Sequence, residues 1–194
     1  MPPTTLYRLA GWAGVLTGVL LLLNDARRIG IVAANDLTHS IAPIPALLAP
    51  FVLTALYLWQ RERTGVTGLL GYLLNTAGLV GAFAIEFASH YVFRFLDRET
   101  VESLLDGRTG TGLLVVSVIY LTGIILFGLA TWRAGRFARW LPAAYVIGFV
   151  PTALRTVLPD AVVSAGFVLG SVAVIGLSWQ LAAANQADRG LVRA

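Results

Sequence analysis

Six runs of predominantly apolar residues, each bounded by a short polar stretch, leave this chain few folds to choose from. They cover about 6–23, 41–59, 66–95, 112–132, 140–158 and 161–181, and most are near the ~20 residues that a helix needs to cross a bilayer. Within hydrocarbon every backbone N–H and C=O must be satisfied internally, so such runs become helices. The chain has 194 residues, of which 57% are hydrophobic and only 12% charged. A soluble domain of that length lacks the interior to hide so much apolar surface, and about a quarter of its residues would be charged. The expected fold is therefore all-α: a polytopic transmembrane bundle of six helices, forming a single domain over 1–194.

Local signals refine each span. The first, Leu6 to Leu23, has Arg8 ahead of an apolar run, as a signal peptide would. It is followed by Asn24, Asp25, Arg27 and Arg28 where a cleavage site would need small residues, so it reads as an uncleaved helix. A polar loop is expected over 24–40. Pro43, Pro45 and Pro50 predict irregular or kinked first turns in the second helix. Gln60 to Arg63 read as a tight charged turn. The third span, Val66 to Phe95, is roughly 45 Å long as a helix against a hydrocarbon core of about 30 Å. It must tilt, or project its Glu86–Arg94 end among the headgroups. The longest polar segment, 97–111, places Val101, Leu104 and Leu105 among acids, as in a short surface helix with a flexible Gly/Thr tail. Pro151 interrupts the fifth span, and the tail from Ala182 is expected to fray.

Charge orients the bundle. Six helices place both termini on one side. All fourteen basic residues are Arg, eight on the terminal side and six opposite, while most acids lie opposite. Trp59, Trp132, Trp140 and Trp179 fall at the terminal-side boundary, where an aromatic belt belongs. Both termini are accordingly expected in the cytoplasm, with the protein in a bacterial inner membrane. The arginines are scattered among short loops rather than gathered on one face, which reads as topology and not as a nucleic-acid surface. The absence of Cys excludes disulfides, thiolate nucleophiles and Cys-based metal sites. Gly14/Gly18 and Gly166/Gly170 are close-packing motifs, either between helices or between copies in a homo-oligomer.

One span departs from the apolar pattern. Glu86, His90 and Arg94 follow one another at four-residue steps and share one helix face, with Asn75 about three turns earlier on the same face. With six crossings, Asp25, Arg27, Arg28, Asp36, His39, Glu86, His90, Arg94, Asp97, Arg155 and Asp160 all come to the side opposite the termini. Charges in hydrocarbon cost roughly 2.5–3.5 kcal/mol each on insertion scales, so such groups face the bundle and find partners. A polar cavity opening outwards is expected, floored by Asn75 and Glu86 and rimmed by His39, His90, Arg28, Arg94 and Arg155. The alternative is a structural ion-pair network tying the third helix to the first loop and the fifth helix.

Glu86 and His90 form the candidate acid–base pair, with Asp25 and Asp36 as weaker candidates. Asn75, His39, Arg28, Arg94 and Arg155 are the candidate ligand-binding residues. Their spacing matches no metal motif, and no Walker loop, dinucleotide fingerprint or nucleophile triad is present. No cofactor is expected.

Leu6 to Gly11, Leu56 to Arg61, Leu126 to Gly135 and Arg139 to Pro142 give the chain its Leu/Gly/Ala-rich helices and Arg-bearing turns. In these it resembles a broad group of small, uncharacterised six-helix membrane proteins of high-GC bacteria. That resemblance implies a fold and a membrane location and transfers no catalytic residues. Three functions fit the residues: a membrane protein whose cavity binds a small amphiphile, lipid or cation; an intramembrane acid–base enzyme of cyclase or isomerase type acting on an isoprenoid or lipid; and a small transporter or transporter accessory subunit. Membrane lipid is the expected partner.

Overall fold

The computed structural model describes residues 3–192, with side chains for 5–183. Its elements are α1 (Pro3–Arg28), α2 (Asp36–Ile41), α3 (Ile44–Tyr91), a 3₁₀ turn (Phe93–Phe95), α4 (Arg98–Asp106), α5 (Arg108–Ala134), α6 (Trp140–Ala153) and α7 (Asp160–Val192). No strand is present among the described residues.

The 48 residues of α3 are two helices, not one. Gly65 sits at φ 56°, ψ −156°, a conformation open essentially only to glycine. The chain reverses there, so that Thr54 Oγ1 lies 3.1 Å from Tyr72 Oη and the Tyr57 and Tyr72 rings stack at 4.5 Å. Along a straight helix, residues 54 and 72 would be about 27 Å apart. The arms are α3a (44–64) and α3b (66–91). Gln60 to Arg63, expected as the turn, instead complete the last helical turns of α3a; Gly65 alone makes the reversal because nothing else at that point tolerates positive φ.

Six long helical segments result. Four helical stretches have the length and composition to cross a membrane: Thr5–Arg28, the Asp36–Phe95 hairpin stretch, Arg108–Ala134 and Asp160–Ala183. At 14 residues, about 21 Å, α6 is shorter than a hydrocarbon core. It stops at Ala153, short of the expected Leu158, and the chain then turns through 154–158.

Close packing of small residues lets the backbones of apolar helices approach one another. Three antiparallel seams do this. A Cβ added at Gly11, Gly14 or Gly18 would strike Ala182, Ser178 or Ile175, locking α1 to α7. Gly71, Gly78 and Gly81 of α3b face Phe127, Tyr120 and Val116 of α5, and Gly123 of α5 abuts the Asn75 backbone. Gly148 of α6 meets Gly166 and Gly170 of α7. The Gly14/Gly18 and Gly166/Gly170 faces that the sequence offers to a second copy are thus covered within the chain. Outside the seams, Leu69, Leu73 and Val80 on α3b, Val115 and Val118 on α5, and Val168 and Val172 on α7 are exposed. Apolar surface of that extent on these three helices is compatible with a membrane protein.

At the Gly65 end, Tyr7 packs edge-on to Trp59, Trp12 to Trp179, and the Arg136 and Arg139 guanidinium groups sit over Trp59 and Trp132. Amphipathic rings with stacked cations suit a membrane–water boundary. At the other end, the 24–40 loop is smaller than expected. Asn24 to Arg28 finish α1, and Asn35 caps α2 through a capping box with Thr38. Asp97 caps α4 by accepting from the Thr100 backbone N–H at 2.8 Å. That N–H and then the Thr100 hydroxyl hold the Asp97 carboxyl below its ordinary value of 3.8. Past the fraying expected from Ala182, α7 continues to Val192; its last side chains and Arg193 lie outside the described residues.

Candidate functional site

The end of the bundle away from Gly65 gathers the polar residues of four elements. The last turn of α1 brings Asn24, Asp25, Arg27 and Arg28; α2 brings Asp36 and His39; the end of α3b brings Glu86 and His90; and the turn after α6 brings Arg155. Two clusters form.

Asp25 centres the first. It is 4% exposed, and both carboxylate oxygens accept from the Ser164 hydroxyl, at 2.8 and 2.7 Å, while Oδ1 also accepts from Arg28 Nη2 at 3.0 Å. Arg28 reaches Asp160 Oδ1 at 3.7 Å and lies over the Phe167 ring at 5.4 Å. Asp25 is committed to tying α1 to α7. Oδ1 is shared by Arg28 and Ser164, whereas Oδ2 meets only the Ser164 hydroxyl, and Asp25 lies in the cavity lining described below. The sequence carries no sign of the Ser164 contact, because a lone Ser in an apolar span normally back-bonds within its own helix.

Glu86 and His90 centre the second. His90 Nε2 lies 3.3 Å from Glu86 Oε2 and 3.2 Å from Arg27 Nη2, and its Nδ1 lies 2.9 Å from Nδ1 of His39. The other Glu86 oxygen lies 3.5 Å from Arg155 Nη1. The two histidines, 51 residues apart in sequence, therefore meet through their rings. Arg94 departs from the expected column. The helix ends at Tyr91, Val92 leaves helical geometry, and Arg94 sits in the 3₁₀ turn, where it donates to Asp36 Oδ1 at 2.8 Å. Asp36 is 93% exposed, so that pair contributes little. Asp97 stays with α4 and joins neither cluster.

Beside these clusters lies a cavity of about 1050 Å³ between α1, both arms of α3, α5, α6 and α7. Its walls are mainly apolar, from Ala49, Leu53 and Leu56 of α3a to Leu79 and Ile85 of α3b and Leu121 of α5. Its charged side chains are Asp25, Arg27, Arg28, Glu86 and Arg155. Val101 and Leu105 of α4 also line it, on the side where the polar ends of the helices meet. The early stop of α6 makes the recess, since Thr152 to Val157 all face it.

Asn75 does not floor this cavity. It is fully buried in the α3b–α5 seam and donates through Nδ2 to Tyr145 Oη at 2.7 Å. Tyr145, with Phe149 and Tyr120, forms the lining there. The helical spacing of Leu141, Tyr145 and Phe149 marks Tyr145 as inward-facing, but only the fold shows it meeting Asn75, 70 residues away. His39, His90 and Arg94 stand behind the cavity rather than in it. His90 touches Glu86 and Arg27, which do line it, and His39 reaches them only through His90, while Arg94 pairs with Asp36 instead.

Comparison of the chain with protein-family models, with curated proteins and with solved structures finds no match.

Proposed function

We propose that the protein is an integral membrane protein that binds a small amphiphile in this cavity. The observation that carries the reading is the cavity's shape and chemistry: about 1050 Å³, apolar along its walls and charged at one end. That volume is at the top of the range of about 300–1,000 Å³ usual for small-molecule sites, and one end that is polar suits a ligand with one head and one tail. In this reading six segments cross a bacterial inner membrane, both termini are cytoplasmic, and the charged end of the cavity faces outwards. The distribution of arginines and the Trp–Arg pairs at the Gly65 end support that orientation.

The test is to purify wild type and Ala49→Trp in mild detergent, extract bound lipid and identify it by mass spectrometry. A defined amphiphile is expected to be enriched in wild type and lost when the indole fills the cavity. Bulk host phospholipid alone, identical in both, would reject the reading.

A second reading is acid–base catalysis on an isoprenoid or lipid. It is supported by Glu86 facing the cavity with His90 3.3 Å behind it. Against it, both Glu86 oxygens already face cationic or ring-nitrogen partners. Glu86→Gln should then abolish turnover while leaving the melting temperature nearly unchanged; retained turnover would dismiss catalysis by Glu86.

A further inference from the structure

We propose that the cavity selects an amphiphile with an anionic head, a carboxylate or a phosphate, and that Arg27 and Arg155 read that head. This rests on the amphiphile-binding reading and specifies its ligand class.

The polar end has unequal numbers of unused donors and acceptors. Asn24 is spent, its amide donating to the Ala42 carbonyl at 2.7 Å. Asp25 is spent on Arg28 and Ser164, and Arg28 on Asp25 in return. What remains is guanidinium. Arg27 has one polar partner, His90, and its Nε–H is buried without an acceptor. Arg155 has only Glu86, at 3.5 Å, which is an ion-pair distance rather than a good hydrogen bond. A guanidinium carries five N–H donors in a rigid fork that matches an oxyanion in two places. The Arg27 Nε–H is closed to solvent, so a head group would be met by the outer guanidinium nitrogens of Arg27 and by Arg155, both of which line the cavity.

Charge points the same way. Three arginines and two carboxylates line the cavity itself, an excess of one cation among the lining groups, while Asp160, outside the lining, approaches Arg28 at 3.7 Å. An oxyanion neutralises that excess. A cationic head would add to it, and both lining carboxylates are already engaged, Asp25 by Arg28 and Ser164 and Glu86 by Arg155 and His90. A cation is therefore the disfavoured ligand. The apolar walls then take the tail, stabilising by about 25 cal/mol for each Å² removed from water.

The experiment titrates palmitate, lysophosphatidate, hexadecanol and hexadecyltrimethylammonium into the full-length protein in maltoside detergent, reading each Kd by native mass spectrometry. Inorganic phosphate serves as the probe without a tail. Both anionic amphiphiles should bind about tenfold or more tightly than hexadecanol, the factor given by one charge-assisted hydrogen bond. Whichever anion binds more tightly assigns the head as carboxylate or phosphate. Arg27→Gln should reduce that advantage, weakening the anions severalfold more than hexadecanol. Arg155 is about half exposed, so Arg155→Gln is the second variant, should Arg27→Gln not fold, and is expected to reduce the same ratio. Hexadecanol or the ammonium binding as tightly as the anions to wild type would overturn the head-group assignment and leave the amphiphile cavity standing. Binding of none of the four would overturn the cavity reading itself. Phosphate binding as tightly as lysophosphatidate would overturn the role of the tail.

Discussion

A single ring nitrogen, Nε2 of His90, faces both a guanidinium N–H of Arg27 and a carboxylate oxygen of Glu86, and it cannot satisfy both. As an acceptor it serves Arg27; as a donor it serves Glu86. The Arg27 contact has hydrogen-bond geometry, and Arg27 has no other polar partner, whereas Glu86 keeps Arg155. The favoured arrangement of the neutral rings is therefore Arg27 donating to His90 Nε2, the His90 Nδ1–H donating to His39 Nδ1, and the His39 proton on Nε2. The ¹⁵N spectrum of ring-labelled protein should show one ring protonated at Nδ1 and one at Nε2, with His39→Gln assigning them. Two Nε2–H rings would contradict this. Asn75 poses a simpler account. Its Nδ2 donates to Tyr145 while its Oδ1 has no partner. Tyr145→Phe should destabilise by about 1–3 kcal/mol, the cost of a buried polar group left unmatched. Adding Asn75→Leu should recover part of that loss, measured as the midpoint of thermal unfolding in detergent. Two additive losses would show that the pair is not coupled.

At the scale of elements, α3 depends on one backbone torsion. Nothing lies within 4 Å of a Cβ placed on Gly65, so Gly65→Ala tests backbone strain alone. It should cost about 1–3 kcal/mol and shift amide-exchange protection near the turn. Gly112→Ala is the control: its Cβ also meets open space, its φ is not positive, and it lies in a helix, so it should be neutral or slightly stabilising. This element also shows what sequence could reveal. Two apolar runs joined by a charged stretch predicted the hairpin, and the four-residue spacing of Glu86 and His90 placed them on one face. The exact reversal point was hidden, because Gln60–Arg63 are good helix formers whose charge mimics a loop. The break at Val92, which moves Arg94 out of register, has no Pro or Gly to announce it. Nor could spacing predict that Asp25 would be consumed by Ser164, since the two residues are 139 positions apart.

For the whole molecule, the lack of Cys makes any introduced thiol a unique reporter. Glu62 at the end of α3a and Glu99 in α4 are exposed and lie at opposite ends of the bundle. A membrane-impermeant maleimide added to intact cells should label Glu99→Cys at once and Glu62→Cys only after lysis. The reverse pattern would invert the orientation, and labelling of both from outside would refute the six-crossing arrangement. The bundle's composition was legible because lipid permits so few structures. The cavity was less so, because it depends on the early end of α6 and on which partners exhaust which charges.

Mechanically, the arms of α3 are the legs of a pair of tongs. Gly65 is the pivot, and the Thr54–Tyr72 contact with the Tyr57–Tyr72 stack binds the legs close to it. The cavity walls begin beside that tie, at Leu53 and Leu56, and run out to Ala46 and Ala49 on one leg and Ile85 and Glu86 on the other, at the far ends. The tips stand about 30 Å from the pivot, so a splay of about 5° moves them by about 2.6 Å. Spin labels at the tips should therefore report a wider spread of distances than labels beside the tyrosine stack. Leverage of this kind would admit a ligand without breaking a single turn of helix.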